Sequence, residues 1–296
     1  MHSSAIRILL VLCFTVCATP TFGADNPKVA VAAESNNQAS PSSTRRAEIV
    51  RLMPRPDVEQ AYLLLYEPTP VKAVAMLFSG GYALLKFQGV DPKIGWDPQG
   101  SSFVVRDRAF FRDRDTAVAI VDVPTDQWNF GMTPPFRKSE THANDIRAVV
   151  ADLKARFPQA KIFLIGTSQG TTSAAYTGKA LGKNIDGVVL TASVFEWAPA
   201  SWGLAYDSNL SEFDFSQIQA PLLIVHHADD PCIATPYKSA AKLGAKYPLI
   251  TVRGGEPVKD NGCGPNGPHG FLGIGKEVIG EIKNWMYGRP FRSEVQ

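Results

Sequence analysis

Short runs of consecutive apolar residues recur along most of the chain, separated by segments whose apolar residues have helical spacing. Because consecutive positions of each run are apolar, strands formed there are expected to be buried on both faces. The predicted strands are Ala61–Tyr66, Val71–Phe78, Ala117–Val121, Ile162–Ile165, Val188–Ala192, Leu222–Val225 and Leu249–Arg253. This pattern predicts an α/β fold with a mostly parallel central sheet and helices on both of its faces.

Helices are predicted between these strands from apolar spacing and from residues that begin or end helices. The predicted helices are Ser101–Arg112, Ser139–Phe157, Thr171–Leu181, Thr235–Lys246 and Phe271–Met286. In the second of these, Ser139 is a candidate N-cap and Pro158 ends the helix. The alternation of strands and helices supports a parallel sheet rather than a β-sandwich.

The N-terminal pattern differs from that of the rest of the chain. Arg7 precedes an apolar run from Ile8 to Ala18, and small residues continue to Ala24. Such a run is too short for a stable membrane span and is typical of a secretory signal peptide. We therefore predict a signal peptide over residues 1–24, a flexible linker over 25–47 and one folded domain over 48–296. The mature protein is expected to be exported, to the periplasm or beyond the cell, with no stable membrane span.

Composition and charge are those of an ordinary globular protein. The chain has 296 residues, of which 45% are hydrophobic and 20% are charged, and its net charge is +2. No basic face dominates, so no nucleic-acid partner is expected. The richest charge cluster, from Arg106 to Asp115, alternates in sign and is interpreted as a solvated helix face.

Four cysteines are present, two of them within the apolar run of the predicted signal peptide. Cys232 and Cys263 remain as a single pair. In an oxidising compartment such a pair is most simply a disulfide, and two separate buried thiols are the alternative.

The strongest chemical signal is Gly166-Thr-Ser168-Gln-Gly170, which follows the predicted strand Ile162–Ile165 and precedes a predicted helix. A serine on a sharp turn between a strand and a helix exposes its Oγ, and close neighbours leave no room for side chains at the two glycines. Ser168 is therefore a candidate nucleophile. The alternative is a simple glycine-containing turn before a helix, because the pentapeptide by itself is not rare.

A serine nucleophile needs a base and an acid that orients the base. His269 lies in a loop before the C-terminal helix and is the candidate base. Asp230 follows the strand Leu222–Val225 and precedes Pro231, and we favour it over Asp229 as the acid. His226 and His227 at the end of that strand are interpreted as hydrogen-bonded structural residues.

An oxyanion needs two fixed N–H donors. The backbone N–H of Gln169, the residue after the candidate nucleophile, is the first. The second is expected from the glycine-rich loop after the strand Val71–Phe78, with Gly81 or Tyr82 as the donor, although a flexible turn is the alternative.

With these residues in the order Ser168, Asp230, His269, the chain from Ala61 to Met286 resembles the α/β-hydrolase superfamily. It looks most like small exported bacterial serine hydrolases of the dienelactone-hydrolase and esterase type. The resemblance implies an eight-stranded sheet, a catalytic domain without cofactor or metal, and an acyl-enzyme. Gly80-Gly81 lacks the preceding His of one esterase type, and the connection before Leu222 is too short for a large lid, so lipase activity is not expected.

The predicted function is hydrolysis of a small-molecule carboxylic ester by a secreted serine hydrolase. Amide or peptide hydrolysis by the same triad, or a non-enzymatic binding role on the same fold, are the alternatives. A bridge between Cys232 and Cys263 would join the loops of Asp230 and His269. The substrate pocket is predicted to be open. His142, at the start of a predicted helix, could also line it or could be a simple surface residue. The predicted aromatic edge of the pocket is Tyr82, Trp128, Phe136, Phe195 and Trp197.

Overall fold

A mixed β-sheet forms the centre of the computed structural model, which describes residues 45–97, 102–196 and 210–296. The predicted signal peptide, nearly all of the predicted linker, and Trp197 lie outside these residues. Nine strands are found within them. They are β1 (Arg46–Arg55), β2 (Val58–Tyr66), β3 (Ala73–Phe78), β4 (Thr116–Val121), β5 (Lys161–Thr167), β6 (Gly187–Thr191), β7 (Leu222–His227), β8 (Leu249–Val252) and β9 (Glu294–Val295).

The strands lie in the order β1-β2-β4-β3-β5-β6-β7-β8-β9. The seven strands from β4 to β9 in this order are all parallel, whereas β1 pairs antiparallel with β2 and β2 pairs antiparallel with β4. The prediction of a mostly parallel sheet is confirmed. The C-terminal ends of β3, β5 and β7 therefore lie at one edge of the sheet, where α/β proteins place their sites.

The sheet has nine strands instead of the eight that the family resemblance implied, and its two edge strands were not predicted from the sequence. β1 has charged residues interspersed among its apolar ones and pairs with a single neighbour, so it lacks a long apolar run. It begins at Arg46, two residues before the predicted start of the domain. β9 has only two residues, which pair with Thr251 and Val252.

Seven α-helices are found within the described residues. They are α1 (Phe103–Arg106), α2 (Arg108–Phe111), α3 (Pro134–Lys138), α4 (Glu140–Arg156), α5 (Gly170–Leu181), α6 (Tyr237–Gly244) and α7 (Gly275–Met286).

Alternate residues of β3 belong to two separate hydrophobic clusters, because successive side chains point to opposite faces of a strand. Side chains of α4, α5 and α6 complete one cluster, and those of α1, α2 and α7 complete the other.

Helix boundaries follow the predictions where a local capping signal is strong. The hydroxyl of Ser139 accepts a hydrogen bond of 3.1 Å from the amide of His142 and begins α4, as predicted. The single helix predicted over Ser101–Arg112 is instead divided into α1 and α2 at Asp107. The last helix begins at Gly275 rather than at Phe271, because Phe271 has a left-handed φ of 51° after a short 3₁₀ turn. In the part of the chain that is described, no helix has the length and apolarity needed to cross a bilayer.

Two helical glycines give a matched test of packing between α5 and the sheet. A Cβ built on Gly178 would lie 2.8 Å from Cγ2 of Val188, whereas a Cβ on Gly280 of α7 meets no atom within 4 Å. Gly280→Ala should stabilise the protein by about 0.5–1 kcal/mol through helix propensity. Gly178→Ala should lose that gain, because overpacking typically costs about 1–3 kcal/mol. Equal stabilisation by both variants in urea unfolding would contradict this packing.

Candidate active site

Ser168 lies on a sharp turn between β5 and α5, in a backbone conformation that side chains rarely adopt. Its φ is +52°. A Cβ on Gly166 would lie 2.4 Å from the carbonyl oxygen of Gly170, and a Cβ on Gly170 would lie 2.2 Å from that of Phe78. Both positions therefore require glycine. The strand, turn and helix predicted around Ser168 are present.

Ser168 opens into a cavity of about 160 Å³ that it shares with His269. Residues from the ends of β3 and β5, from α1 and from the loop before α7 line this cavity. They are Gly80, Gly81, Ser102, Phe103, Thr167, Ser168, Cys263, Gly264, Pro265, His269 and Gly270. The fold thus brings the candidate nucleophile and the candidate base, which are about 100 residues apart in the sequence, to one small pocket.

The carboxylate of Asp230 contacts the imidazole of His269. Oδ2 of Asp230 lies 3.0 Å from Nδ1 of His269. Since an ionised carboxylate can only accept, Nδ1 carries the proton, and Nε2 is left as the basic nitrogen. Asp229 makes no side-chain hydrogen bond to His269 within the described residues. Its amide donates to Nδ1 of His227.

Three further groups surround the carboxylate of Asp230. The amide of Cys232 donates to Oδ1 at 2.9 Å, and the hydroxyl of Thr235 donates to Oδ2 at 2.8 Å. Nε2 of His226 lies 3.6 Å from the same oxygen. Burial on its own would raise the pKa of Asp230, but the attraction and hydrogen bond of His269, helped by His226 and the Cys232 amide, bring that pKa below its usual range. Asp230 is therefore a fixed negative charge beneath His269.

The two histidines at the end of β7 are structural, as the sequence suggested. His226 is fully buried, its Nε2 lies 2.8 Å from the carbonyl oxygen of Thr235, and burial lowers its pKa. Nε2 of His227 lies 2.9 Å from the carbonyl oxygen of Gly254. Both rings hold the loops that follow β7 and β8.

The loop after β3 lies against the turn of Ser168. A Cβ on Gly80 would lie 3.0 Å from Cβ of Ser168, and Gly81 has a φ of +54°. Within the described residues, the amides of Gly81, Tyr82 and Gln169 have no protein acceptor. Gln169 is also the N-cap of α5, where the helix dipole favours negative charge. These amides are available to bind an oxyanion.

Arg137 lies behind this loop and was not identified from the sequence. Its side chain donates to Oγ of Ser173 at 2.8 Å and to the carbonyl oxygens of Met132 at 3.0 Å, Gly81 at 2.7 Å and Ser79 at 3.4 Å. The residue is only 1% exposed. No sequence motif marks it, since its bonds go to backbone carbonyls of two separate segments and to a hydroxyl of a third.

Arg106 supports the loop of His269 in a similar way. Its guanidinium donates to the carbonyl oxygens of Pro265 at 2.6 Å and Gly270 at 2.7 Å, and it also pairs with Asp107. The charge cluster from Arg106 to Asp115 was interpreted as a solvated helix face. At Arg106 that interpretation is wrong, because the side chain ties α1 to the loop that carries the candidate base.

A disulfide joins Cys232 to Cys263, as predicted, and their Cα atoms lie 4.6 Å apart. Cys232 lies two residues after Asp230, and Cys263 lines the cavity. The bridge therefore connects the loop of the candidate acid to the loop before the candidate base.

The structure places the three weaker pocket candidates away from this cavity. The indole of Trp128 donates to the carbonyl oxygen of Val123, and its ring lies beside Lys86. Phe195 is buried against His226 and faces a different cavity on the α6 side of the sheet. His142 is fully buried between Phe78 and Phe136. None of the three lines the cavity of Ser168, so the structure does not support the prediction that they contact a substrate there.

One family model matches part of the chain by sequence. A family model described as serine aminopeptidase, S33, matches residues 131–213, a stretch that includes Ser168 and Gln169 but not Asp230 or His269. No curated protein matches the chain by sequence.

Solved structures match over most of the chain. A lid-less α/β serine hydrolase from Xanthomonas campestris has a TM-score of 0.52 at 16% identity, with 83% of this chain and 97% of that one covered. Est1E from Butyrivibrio proteoclasticus has a TM-score of 0.53 at 14% identity, with 82% and 98% covered. A prolyl endopeptidase has a TM-score of 0.54 at 9% identity and covers 83% of this chain, which spans only 38% of its length. The chain therefore has the α/β-hydrolase fold.

The disulfide provides a test of how the two loops are held together. Closing a loop of 31 residues contributes roughly 3–4 kcal/mol in the chain-entropy model. The double variant Cys232→Ala, Cys263→Ala should lose about that much stability in urea unfolding. It should also react more slowly with serine-directed reagents at a temperature where it is fully folded, because Asp230 and His269 are less well held. Unchanged reactivity in a destabilised variant would show that the bridge is purely structural.

Proposed function

We propose that this protein is an exported serine hydrolase that cleaves a small-molecule carboxylic ester through an acyl-enzyme on Ser168. One observation carries the proposal. His269, which lies 3.0 Å from the buried carboxylate of Asp230, shares one cavity with a serine held on a strained turn. A binding protein would require neither the strained serine nor the oriented imidazole.

In the proposed reaction, Oγ of Ser168 attacks the ester carbonyl while Nε2 of His269 takes its proton. The amide of Gln169 and that of Gly81 or Tyr82 donate to the resulting oxyanion. The carbon–oxygen bond to the alcohol then breaks, and His269 returns the proton to the departing alcohol. In the second half, water attacks the acyl group with His269 again as base, and the carboxylic acid leaves as Ser168 recovers its proton.

Two features support an ester over an amide substrate. The lid-less serine hydrolase and Est1E match this chain over nearly their whole length, at 97% and 98%. The prolyl endopeptidase, whose specificity is attributed to inter-domain dynamics, matches over only 38% of its length. The cavity beside Ser168 is also small, at about 160 Å³, and suits a compact acyl group.

Peptide or amide hydrolysis is the second candidate, and the match of residues 131–213 to the serine aminopeptidase model favours it. A panel of p-nitrophenyl esters and aminoacyl p-nitroanilides separates the two. We expect turnover of short-chain esters and little release from the anilides. Faster release from the anilides would favour the peptidase.

Export is supported by two independent features. Arg7 and the apolar run from Ile8 to Ala18 have the pattern of a signal peptide, and the Cys232–Cys263 disulfide suits an oxidising compartment. The periplasm and the outside of the cell are equally compatible with both.

Labelling with a fluorophosphonate tests whether Ser168 is activated. Intact mass should show one adduct on the wild-type protein and none on Ser168→Ala, because only an activated serine reacts rapidly. Ser102→Ala is the matched control, since Ser102 lines the same cavity but does not lie on the strained turn. This variant should still be labelled. A folded wild-type protein without an adduct would instead favour a binding role.

The pH dependence of ester hydrolysis tests the role of His269. The pKa of Asp230 lies below its usual range, so its carboxylate stays ionised in weak acid. The fall of kcat/KM with decreasing pH should therefore follow one protonation, that of His269, which then no longer acts as a base. A profile that is flat down to about pH 4 would contradict the role of His269 as the base.

Asp230→Asn should lower kcat by a factor on the order of 10⁴, because His269 loses its orienting charge.

A further inference from the structure

The side chain of Arg137 is buried beside the loop after β3, residues 80–82, which we call the oxyanion loop, and it has no acidic partner among the described residues. Among the described residues, its hydrogen bonds go only to three carbonyl oxygens, those of Ser79, Gly81 and Met132, and to the hydroxyl of Ser173. Buried arginines are usually paired with carboxylates, because an isolated charge is costly to remove from water. This placement requires an explanation.

We propose that Arg137 is a positioning residue for the reaction, which orients the Gly81–Tyr82 peptide so that the amide of Tyr82 is the second oxyanion donor, and which adds positive charge behind that donor. The proposal rests on the hydrolase function proposed above and extends it to a residue that does not touch the substrate.

The orientation follows from the planarity of the peptide bond. In a trans peptide the carbonyl and the N–H point in opposite directions. A guanidinium nitrogen of Arg137 lies 2.7 Å from the carbonyl oxygen of Gly81, so the N–H of Tyr82 points away from Arg137. The amide of Tyr82 has no acceptor among the described residues. The amide of Gly81 also lacks an acceptor among the described residues, so the choice of Tyr82 over Gly81 rests on the peptide plane that Arg137 fixes.

The loop has few other anchors. Gly80 and Gly81 have no side chains, and Tyr82 is 52% exposed. Among the described residues, two backbone hydrogen bonds hold the loop, from the amide of Ala83 to the carbonyl oxygen of Gly80 at 3.2 Å and from the amide of Met132 to the carbonyl oxygen of Tyr82 at 2.8 Å. Because the planar fork of Arg137 bonds this loop, Met132 and Ser173 of α5 together, it fixes the loop relative to the helix that begins beside Ser168.

The charge of Arg137 is retained despite its burial. Burial lowers the pKa of Arg137 to about 9, so the guanidinium remains protonated at neutral pH. Its neighbour His142 is neutral, because burial, with the charge of Arg137 adding to it, lowers the pKa of His142 to about 3. One positive charge therefore stays behind the oxyanion loop, in a water-poor region where its field is weakly screened.

Substitution of Arg137 should lower turnover more than substrate binding. In the mature protein, Arg137→Gln should lower kcat for a p-nitrophenyl ester by about 10²-fold or more, with KM changed less than about threefold, since an oxyanion is formed only in the reaction. Arg137→Lys keeps the charge but lacks the fork, and should lose about tenfold. The matched control is Arg147→Gln, at an exposed position of α4, which should leave both constants unchanged.

A second measurement separates positioning from simple stability. An aryl trifluoromethyl ketone forms an oxyanion on the serine, and its affinity should fall in parallel with kcat/KM across the Arg137 variants. The affinity of the neutral alcohol product should not fall. Thermal unfolding of each variant shows that the comparison is made on folded protein.

The outcomes are distinct. A folded Arg137→Gln with kcat within twofold of wild type would overturn the proposal. If this variant does not fold, Arg137→Lys decides, because wild-type kcat and ketone affinity with a lowered Tm would show a purely structural role. Failure of the hydrolase function itself looks different, since the wild-type protein would then neither hydrolyse esters nor react with a fluorophosphonate, and both proposals would fall together.

Discussion

The close contact between backbones at the turn of Ser168 is the constraint on which the rest of the site depends. Gly170 lies so near the carbonyl oxygen of Phe78 that a single methyl group would collide with it at 2.2 Å. The end of β3, the end of β5 and the start of α5 therefore meet without intervening side chains. This contact places the glycine loop after β3 within reach of Ser168, and it makes the proposed oxyanion site a property of the sheet rather than of a flexible loop.

Around this rigid centre, the remaining parts of the site are held by buried polar contacts. Arg106 bonds the carbonyl oxygens of the His269 loop, and Arg137 bonds those of the oxyanion loop. Asp230 is held by an amide and a hydroxyl as well as by His269. The N–H and C=O groups of an irregular loop have no regular backbone partners in a helix or sheet. Long side chains from other segments therefore form hydrogen bonds with them. The loops are thereby fixed without regular secondary structure.

The sequence predicts the central part of this arrangement because those features are local. Seven apolar runs became strands, the Ser139 cap begins α4, and the turn at Ser168 follows from its glycines. Three features could not be found in this way. β1 and β9 lie at sheet edges, where a strand needs no continuous apolar run. Arg106 and Arg137 act through backbone carbonyls far away in the sequence, which leaves no motif. Trp128, His142 and Phe195 have the composition expected of a pocket, but burial and neighbouring rings place them elsewhere.

The position of Cys263 gives the disulfide a meaning beyond stability. Its residue forms part of the wall of the cavity, so the covalent state of the bridge changes the surface that a ligand meets. Protein that folds with the bridge and protein that folds without it then have differently shaped cavities, although their sequence is the same. Material produced in a reducing cytoplasm and material secreted into an oxidising medium would present different pockets, and a substrate profile measured on one describes only that form.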